Sequence, residues 1–328
     1  MIHLIVPGLR GFFPRFAEVG EVPCLPALET LLARGERGQG GSSIAGAAFA
    51  LFGVDADPVA TAALCHAADV GNADVSRVLL HAHPVHLVPD RDRLLALDFH
   101  AQSLSTEEAT AFVEAFNRYF GENGLELLAP HPERWYLAVE QVPRACFHPL
   151  ADVLGRNIDH FLPEGDQASY WRALLNEVQM LFHGLPVNTE REARGLWPVN
   201  GLWLSGPGRL PLVHGGRIGR LLAEPSSPPF VEKAGWEGEV YALFSGLLRC
   251  ARVTGPDRLW LELDPGRAVL DGDFVAWCQA LRRFDERLGS LLGESLILYD
   301  AAGQTWHWRP AMRWRIWRRP QRIVPAAR

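Results

Sequence analysis

Short, uninterrupted apolar runs alternate along the chain with longer segments whose apolar residues recur at helical spacing. Residues 2–6 form such a run and stop at a Pro-Gly pair, and residues 201–206 have the same form, which is typical of strands buried on both faces. Residues 26–35 and 168–183 instead carry apolar side chains at intervals of three and four, which favours helices. The alternation predicts an α/β protein.

The middle of the chain is more polar than its two ends. Residues 125–128 and 135–139 predict a local antiparallel pair of strands. Ser105, followed three residues later by Glu108, resembles a capping box that begins a helix. We therefore expect one α/β core, formed from both ends of the chain and interrupted by an inserted domain, with seams near residues 70 and 197.

Composition and charge narrow the classes of protein. The 328 residues correspond to about two domains, and 48% hydrophobic with 21% charged residues is the composition of a folded globular chain. The net charge of −6 gives no overall attraction to nucleic acid or to anionic lipid. No segment reaches the roughly 20 apolar residues that span a bilayer, and the five cysteines form no C-x-x-C pair. We expect a cytoplasmic protein with reduced thiols, no membrane partner and no nucleic-acid partner.

A glycine-rich loop places two hydroxyl groups before a predicted helix. Gly41, Ser42 and Ser43 precede the small-residue helix 44–52, where backbone N–H groups can bind a phosphate while a serine attacks it. Ser42 is the candidate nucleophile. The alternative is a simple helix cap.

Three histidines, His81, His83 and His86, lie on one predicted strand, and His81 and His83 share a face. They could contribute to a metal site, although no nearby carboxylate or cysteine completes it. The alternative is a set of histidines hydrogen-bonded to the backbone.

The turn-rich segment 183–200 concentrates amide and guanidinium donors that suit a small anionic ligand. Asn188, Arg191 and Asn200 are the candidate binding residues, beside the expected domain seam. The alternative is a linker in which the asparagines bind the loop backbone.

Two further segments contain candidate chemistry. Asp271 and Asp273 precede a helix and could bind a divalent cation or cap that helix, and Asp300 follows a predicted strand. Residues 309–322 interleave arginine with two tryptophans, which predicts either a nucleic-acid or membrane contact or late strands followed by a frayed tail.

In this order, these motifs resemble the archaeal-type cofactor-independent phosphoglycerate mutases of the alkaline phosphatase superfamily. The similar segments are Asn176 and Glu177 with 186–200, the helix 25–35, the Gly41-Ser42 pair and the element 271–274. The resemblance implies an alkaline-phosphatase-like core sheet with helices on both faces, formed by residues 1–69 and 198–328. It also implies a smaller inserted α/β domain of the substrate-binding type at residues 70–197.

The chain departs from the family pattern where the family binds metal. The family's Asp-Gly after the first strand is Pro7-Gly8 here, and other expected metal or substrate ligands are replaced by Ser205, Gly266, Leu270 and Ala301. Two-metal phosphoryl transfer needs several carboxylates and imidazoles. A rearranged set would have to come from Asp264, Asp271, Asp300 and His307.

The resemblance and these departures predict a non-catalytic, phosphoglycerate-mutase-like protein that needs no cofactor and binds a small phosphorylated or carboxylated metabolite. The chain also resembles a divergent bacterial branch of this family that is labelled RpfE-type regulatory or uncharacterised proteins, and this resemblance implies an unspecified regulatory role. One alternative is an active mutase or phosphatase that uses Mn²⁺, Zn²⁺, Co²⁺ or Mg²⁺ with Ser42 as nucleophile. The other is binding of a protein or nucleic-acid partner through the Arg/Trp-rich C-terminus.

Overall fold

The structure is a computed structural model that describes residues 1–11, 13, 21–55, 60–72, 74–222, 235–251, 254–320 and 322–323. Within these ranges the strands are β1 (Ile2–Ile5), β2 (Glu36–Gln39), β3 (Val78–Asp90), β4 (Arg93–Leu97), β5 (Glu126–His131), β6 (Arg134–Val139), β7 (Ala145–Cys146), β8 (Glu164–Gly165), β9 (Gly201–Gly208), β10 (Ile218–Leu222), β11 (Asp257–Leu261), β12 (Leu296–Tyr299) and β13 (Gln304–Trp308).

The helices are α1 (Pro26–Arg34), α2 (Ile44–Phe52), α3 (Ala62–Val70), α4 (Thr106–Phe120), α5 (Leu150–Val153), α6 (Ala168–His183), α7 (Pro186–Ala193), α8 (Gly235–Cys250), α9 (Asp264–Leu270) and α10 (Phe274–Leu291). Short 3-10 helices span Gly121–Asn123, Ile158–Phe161 and Pro310–Trp314. The predicted mixed α/β class is confirmed. No helix in the described ranges is both long enough and apolar enough to cross a bilayer.

The chain divides into two compact units. Unit 1 comprises residues 1–54, 214–227 and 251–328, and unit 2 comprises residues 55–213 and 228–250. The predicted seams at residues 70 and 197 therefore differ from the observed ones. Helix α3 lies against α8, and β9 pairs with β3, so all four elements belong to unit 2. An apolar run such as 201–206 shows that a strand is buried but not which strand it pairs with.

Unit 1 is built on a six-stranded sheet in the order β10-β11-β1-β12-β13-β2. The first four strands are parallel, and β13 and β2 extend the sheet in antiparallel pairing. The apolar run at the start of the chain becomes β1, which lies between β11 and β12 and is buried along its length. Its core includes Leu4, Trp277, Leu298 and Trp306.

Unit 2 is built on antiparallel pairing around the long strand β3. The sheet runs β4-β3-β6-β5, and β9 pairs with β3 as well. The predicted antiparallel pair in the middle of the chain is β5 with β6. Aromatic side chains from three elements, among them Phe112, Trp135 and Phe182, fill the core of this unit.

Candidate functional site

Ser42 lies one residue before the N-cap of α2. The cap is Ser43, whose hydroxyl accepts a hydrogen bond from the Gly46 amide at 3.0 Å. The Ser42 side chain is exposed. Gly41 is required here, because a Cβ atom at this position would lie 2.3 Å from the Ala47 nitrogen. One of the two predicted hydroxyls therefore caps the helix, and the other faces solvent.

Two of the candidate metal ligands are paired with arginines. Asp264, at the start of α9, accepts a hydrogen bond from Arg283 at 2.9 Å. Asp271 receives the guanidinium of Arg267 from one turn earlier at 2.5 Å. Both carboxylates are therefore already paired with a guanidinium group of unit 1.

The other two candidates do not complete a site either. Asp300 is buried and accepts hydrogen bonds from the amides of Ala302 and Gln304 at 2.8 and 2.9 Å, so it stabilises the turn between β12 and β13. His307 is exposed on β13. Among the described residues, no three of Asp264, Asp271, Asp300 and His307 gather as a group of metal ligands. The residues present thus do not fit a two-metal centre.

Asn188, a predicted binding residue, is buried and fully hydrogen-bonded. Its amide nitrogen donates to the carbonyl oxygens of Phe182 and Val199, and its oxygen accepts from the Val199 amide, all at 2.8 Å. The side chain thereby connects the end of α6 to the chain that enters β9. Asn188 lies on helix α7, as does Arg191, so this part of the predicted turn-rich segment is a helix and not a linker.

Arg191 is completely buried. Its guanidinium donates to Glu108 at 2.5 Å and to the carbonyl oxygens of Trp197 and Gln102 at 2.8 and 3.1 Å. It also lies 5.3 Å from the centre of the Phe99 ring. The donors predicted for an anionic ligand are already bound to protein acceptors.

Asn200 exchanges two hydrogen bonds with the backbone of Leu87, at 2.6 and 2.9 Å. Asn188 and Asn200 do line a common cavity of about 280 Å³, together with His86, His183 and Glu192. The asparagine amides are occupied, and the carboxylate of Glu192 opposes an anion. This cavity is therefore a poor site for a phosphorylated ligand.

Of the late strands predicted over 306–309 and 313–319, the first lies largely in β13, whereas residues 313–319 form no strand. Residues 310–314 form a 3-10 helix, and Trp314, Ile316 and Trp317 are each more than two-thirds exposed. Arg315 pairs with Glu36 at 2.7 Å. Residue 321 and residues 324–328 lie outside the described residues.

A cavity of about 330 Å³ in unit 1 is lined by arginines that sequence reasoning did not single out. Arg10, Arg37, Arg319 and Arg322 surround it, all with exposed side chains, and Glu29 is the acid in its lining. The guanidinium groups of Arg37 and Arg319 have no ion-pair or hydrogen-bond partner among the described residues. Four guanidinium groups around one cavity make its electrostatic potential positive.

These arginines lie far apart in sequence, and the arginine-rich composition hides them. Arg10 follows β1, Arg37 lies on β2, and the other two belong to the C-terminal segment. The interleaving of arginine in residues 309–322 is the one signal in the sequence that pointed toward this cavity. The predicted histidine pair, His81 and His83, lies next to a carboxylate, that of Glu239 on α8. The sequence contains no signal for this contact, because the residues lie far apart along the chain.

Comparison with known proteins supports the resemblance seen in the sequence. No protein-family model matches the chain. A 2,3-bisphosphoglycerate-independent phosphoglycerate mutase from Methanothrix thermoacetophila is 24% identical over 226 residues, which cover 64% of this chain and 56% of that protein. A probable enzyme of the same name from Geobacter sulfurreducens is 28% identical over 145 residues, 44% of this chain and 35% of that protein. The chain thus spans about half the length of the first relative and about a third of the second.

Two solved structures align with most of the chain. A protein from Pyrococcus horikoshii aligns with 93% of this chain and 85% of its own, at 14% identity and a TM-score of 0.47. A cofactor-independent phosphoglycerate mutase from Thermoplasma acidophilum aligns with 94% and 89%, at 14% identity and a TM-score of 0.36. The sequence matches to the two curated relatives, rather than these alignments, confirm the predicted resemblance to phosphoglycerate mutases of the cofactor-independent kind.

Proposed function

We propose that this chain is a phosphoglycerate-mutase-like protein that does not transfer phosphoryl groups and that binds a small phosphorylated or carboxylated metabolite. The relatives similar in sequence are named as phosphoglycerate mutases. Metal-assisted phosphoryl transfer needs metal ligands beside a nucleophile. Whether this chain can share that activity therefore depends on its candidate metal ligands and on Ser42.

The observation that carries the proposal is the dispersal of the candidate metal ligands. Asp264 and Asp271 are paired with arginines, and Asp300 holds a turn. Metal-assisted phosphoryl transfer depends on ions held next to the nucleophile, because they neutralise the phosphate and activate the attacking oxygen. Without such ions the hydroxyl of Ser42 keeps the low reactivity of an ordinary serine.

The arginine-lined cavity of unit 1 supports binding of an anion. A guanidinium group presents paired donors that match the oxygens of a phosphate or a carboxylate. The cavity volume of about 330 Å³ suits a small metabolite. Arg37 and Arg319 are the residues that we assign to the ligand, since their guanidinium groups are not used by the described residues.

The first experiment tests the missing catalysis. The purified protein is assayed for interconversion of 3- and 2-phosphoglycerate with Mn²⁺, Co²⁺, Zn²⁺ or Mg²⁺ added, beside a Ser42→Ala variant. We expect no turnover in either sample. Metal-dependent turnover that disappears in Ser42→Ala would show that the chain is an active mutase and would overturn the proposal.

The second experiment tests the anion site. Binding of 3-phosphoglycerate is measured by calorimetry for the wild type, for an Arg37→Ala/Arg319→Ala variant and for Arg118→Ala, a control at an exposed arginine of unit 2. We expect the double variant to bind at least about a hundredfold more weakly, since it loses two charge-assisted contacts of about 1.5 kcal/mol each. The control should bind like the wild type. Equal affinity of all three proteins contradicts the assigned site.

A further inference from the structure

Three side chains of types that can bind a metal lie close together inside unit 2, and none of them belongs to the arginine-lined cavity or to the candidate two-metal set. His81 and His83 lie two residues apart on β3, so their rings project from the same face and stack with centres 5.0 Å apart. Helix α8 brings Glu239 against them. One ligand atom from each of the three lies within 4.8 Å of the others, and the described residues contain no other such group.

The distances within this cluster fit ligands of one ion better than hydrogen bonds. Glu239 Oε1 lies 3.6 Å from His81 Nε2, and Glu239 Oε2 lies 3.4 Å from His83 Nε2. A hydrogen bond between nitrogen and oxygen is normally about 2.7–3.2 Å long. Two ligands of a tetrahedral Zn²⁺ ion, each about 2.0–2.1 Å from the metal, lie about 3.3 Å apart.

No Lys or Arg side chain among the described residues pairs with the carboxylate of this cluster. Glu239 has no arginine partner among the described residues, and the two imidazoles are its ion-pair contacts. A buried carboxylate without a cation is unfavourable, and a bound divalent ion would remove that cost.

Two buried hydroxyl groups surround the ligand atoms. Thr61 Oγ1 lies 3.0 Å from His81 Nε2, and Ser205 Oγ lies 3.3 Å from His83 Nε2. At these distances each hydroxyl can form a hydrogen bond with the neighbouring Nε2, as donor or as acceptor according to the tautomer of the ring. The same hydroxyls are placed to hold a water molecule at a fourth coordination position.

We propose that His81, His83 and Glu239 bind one divalent ion of the Zn²⁺ class, with a water molecule held by Thr61 and Ser205 as a further ligand. Imidazole nitrogen with a single carboxylate is a ligand set for transition metals such as Zn²⁺. Mg²⁺ and Ca²⁺ require oxygen ligands in larger number. The site does not depend on the arginine-lined cavity, so either proposal can fail alone.

The test is metal binding by the full-length chain after treatment with a chelator. Zn²⁺ is added back to the wild type, to Glu239→Gln, to His83→Gln and to His160→Gln, whose histidine is exposed elsewhere in unit 2. Calorimetry and elemental analysis measure the affinity and the stoichiometry. We expect one Zn²⁺ per chain for the wild type and for His160→Gln, and at least about tenfold weaker binding for the two cluster variants.

A second measurement keeps the proposal testable when a variant fails to fold. Co²⁺ replaces Zn²⁺ in the wild type, and its visible spectrum reports the coordination geometry. An intense ligand-field band of a four-coordinate ion is expected. A weak six-coordinate spectrum, no stoichiometric Zn²⁺ binding, or equal Zn²⁺ affinity in folded wild type and folded cluster variants would each overturn the proposal.

Discussion

Two glutamates of unit 2 are buried to a similar degree but differ in whether a guanidinium group neutralises their charge. The side chain of Glu108 is 10% exposed and that of Glu239 is 17% exposed. Glu108 receives the guanidinium groups of Arg191 and Arg194 at 2.5 and 3.0 Å. Glu239 faces two imidazoles and, among the described residues, no guanidinium.

The difference separates structural carboxylates from carboxylates that remain available to a ligand. At Glu108 the protein supplies the cation, so the charge is neutralised within the fold. At Glu239 no such cation is present, and burial raises the pKa of the carboxyl to about 7. A buried acid in the first setting holds elements together, whereas one in the second setting can bind a cation from solution.

The largest loss of stability is expected when Glu108 loses its buried cation, Arg191. Arg191→Met is expected to lower the free energy of unfolding by about 3–5 kcal/mol, because Glu108 loses its buried counter-charge and two carbonyl oxygens lose their guanidinium donor. Denaturant unfolding measures the change. The predicted role of Arg191 as a ligand donor would instead leave stability almost unchanged.

Arg194→Met is the matched control for Arg191→Met. Arg194 binds the same carboxylate, but its side chain is 61% exposed. An exposed ion pair contributes about 1 kcal/mol or less. If the two variants lose equal stability, burial does not distinguish the two arginines and the structural reading of Arg191 is wrong.

Glu108 also shows which part of the fold could be predicted from the sequence. Its role in the capping box with Ser105 follows from local spacing, and both hydrogen bonds of the box are present. Its pairing with Arg191 joins α4 to α7 and depends on tertiary packing. Local hydrogen-bond and periodicity rules therefore predicted β1, α1 and the pair of β5 with β6. They did not predict α7, which lies in a segment expected to be rich in turns.

The candidate site was less predictable, because tertiary packing decides which partner each of its polar side chains binds. A guanidinium or amide has the same letter in the sequence whether it binds a ligand or its own backbone, and Asn188 and Arg191 turned out to do the latter. Glu239 reaches His81 and His83 only because α8 packs in unit 2. The sequence shows which groups are chemically able to act, and packing decides which of them are already occupied.

His131 is a partly buried group of the opposite charge type, and the folded protein disfavours protonation of its imidazole. Burial, with the nearby Arg134, lowers its pKa to about 4, against about 6.5 in an unfolded chain. Between these pH values the unfolded chain binds a proton that the folded chain does not bind. Stability should therefore fall as the pH decreases through this window.

His131→Gln removes this proton-binding difference, because glutamine stays neutral in both states. Its free energy of unfolding should decrease less than that of the wild type between about pH 7.5 and about pH 5. Urea unfolding across this range measures both slopes, with His214→Gln as a control at an exposed histidine. Identical slopes for the wild type and His131→Gln would contradict the depressed pKa.

The smallest effect is expected at the second glutamate itself. In a chelating buffer at about pH 8, Glu239→Gln should change the free energy of unfolding by about 1 kcal/mol or less, in the stabilising direction, because the amide keeps the shape and removes an uncompensated charge. Glu108→Gln, the matched substitution, should cost more, since it takes the counter-charge from the buried Arg191. Denaturant unfolding of both variants decides between them. Equal destabilisation would mean that the fold itself compensates the charge of Glu239, and the two glutamates would then be alike.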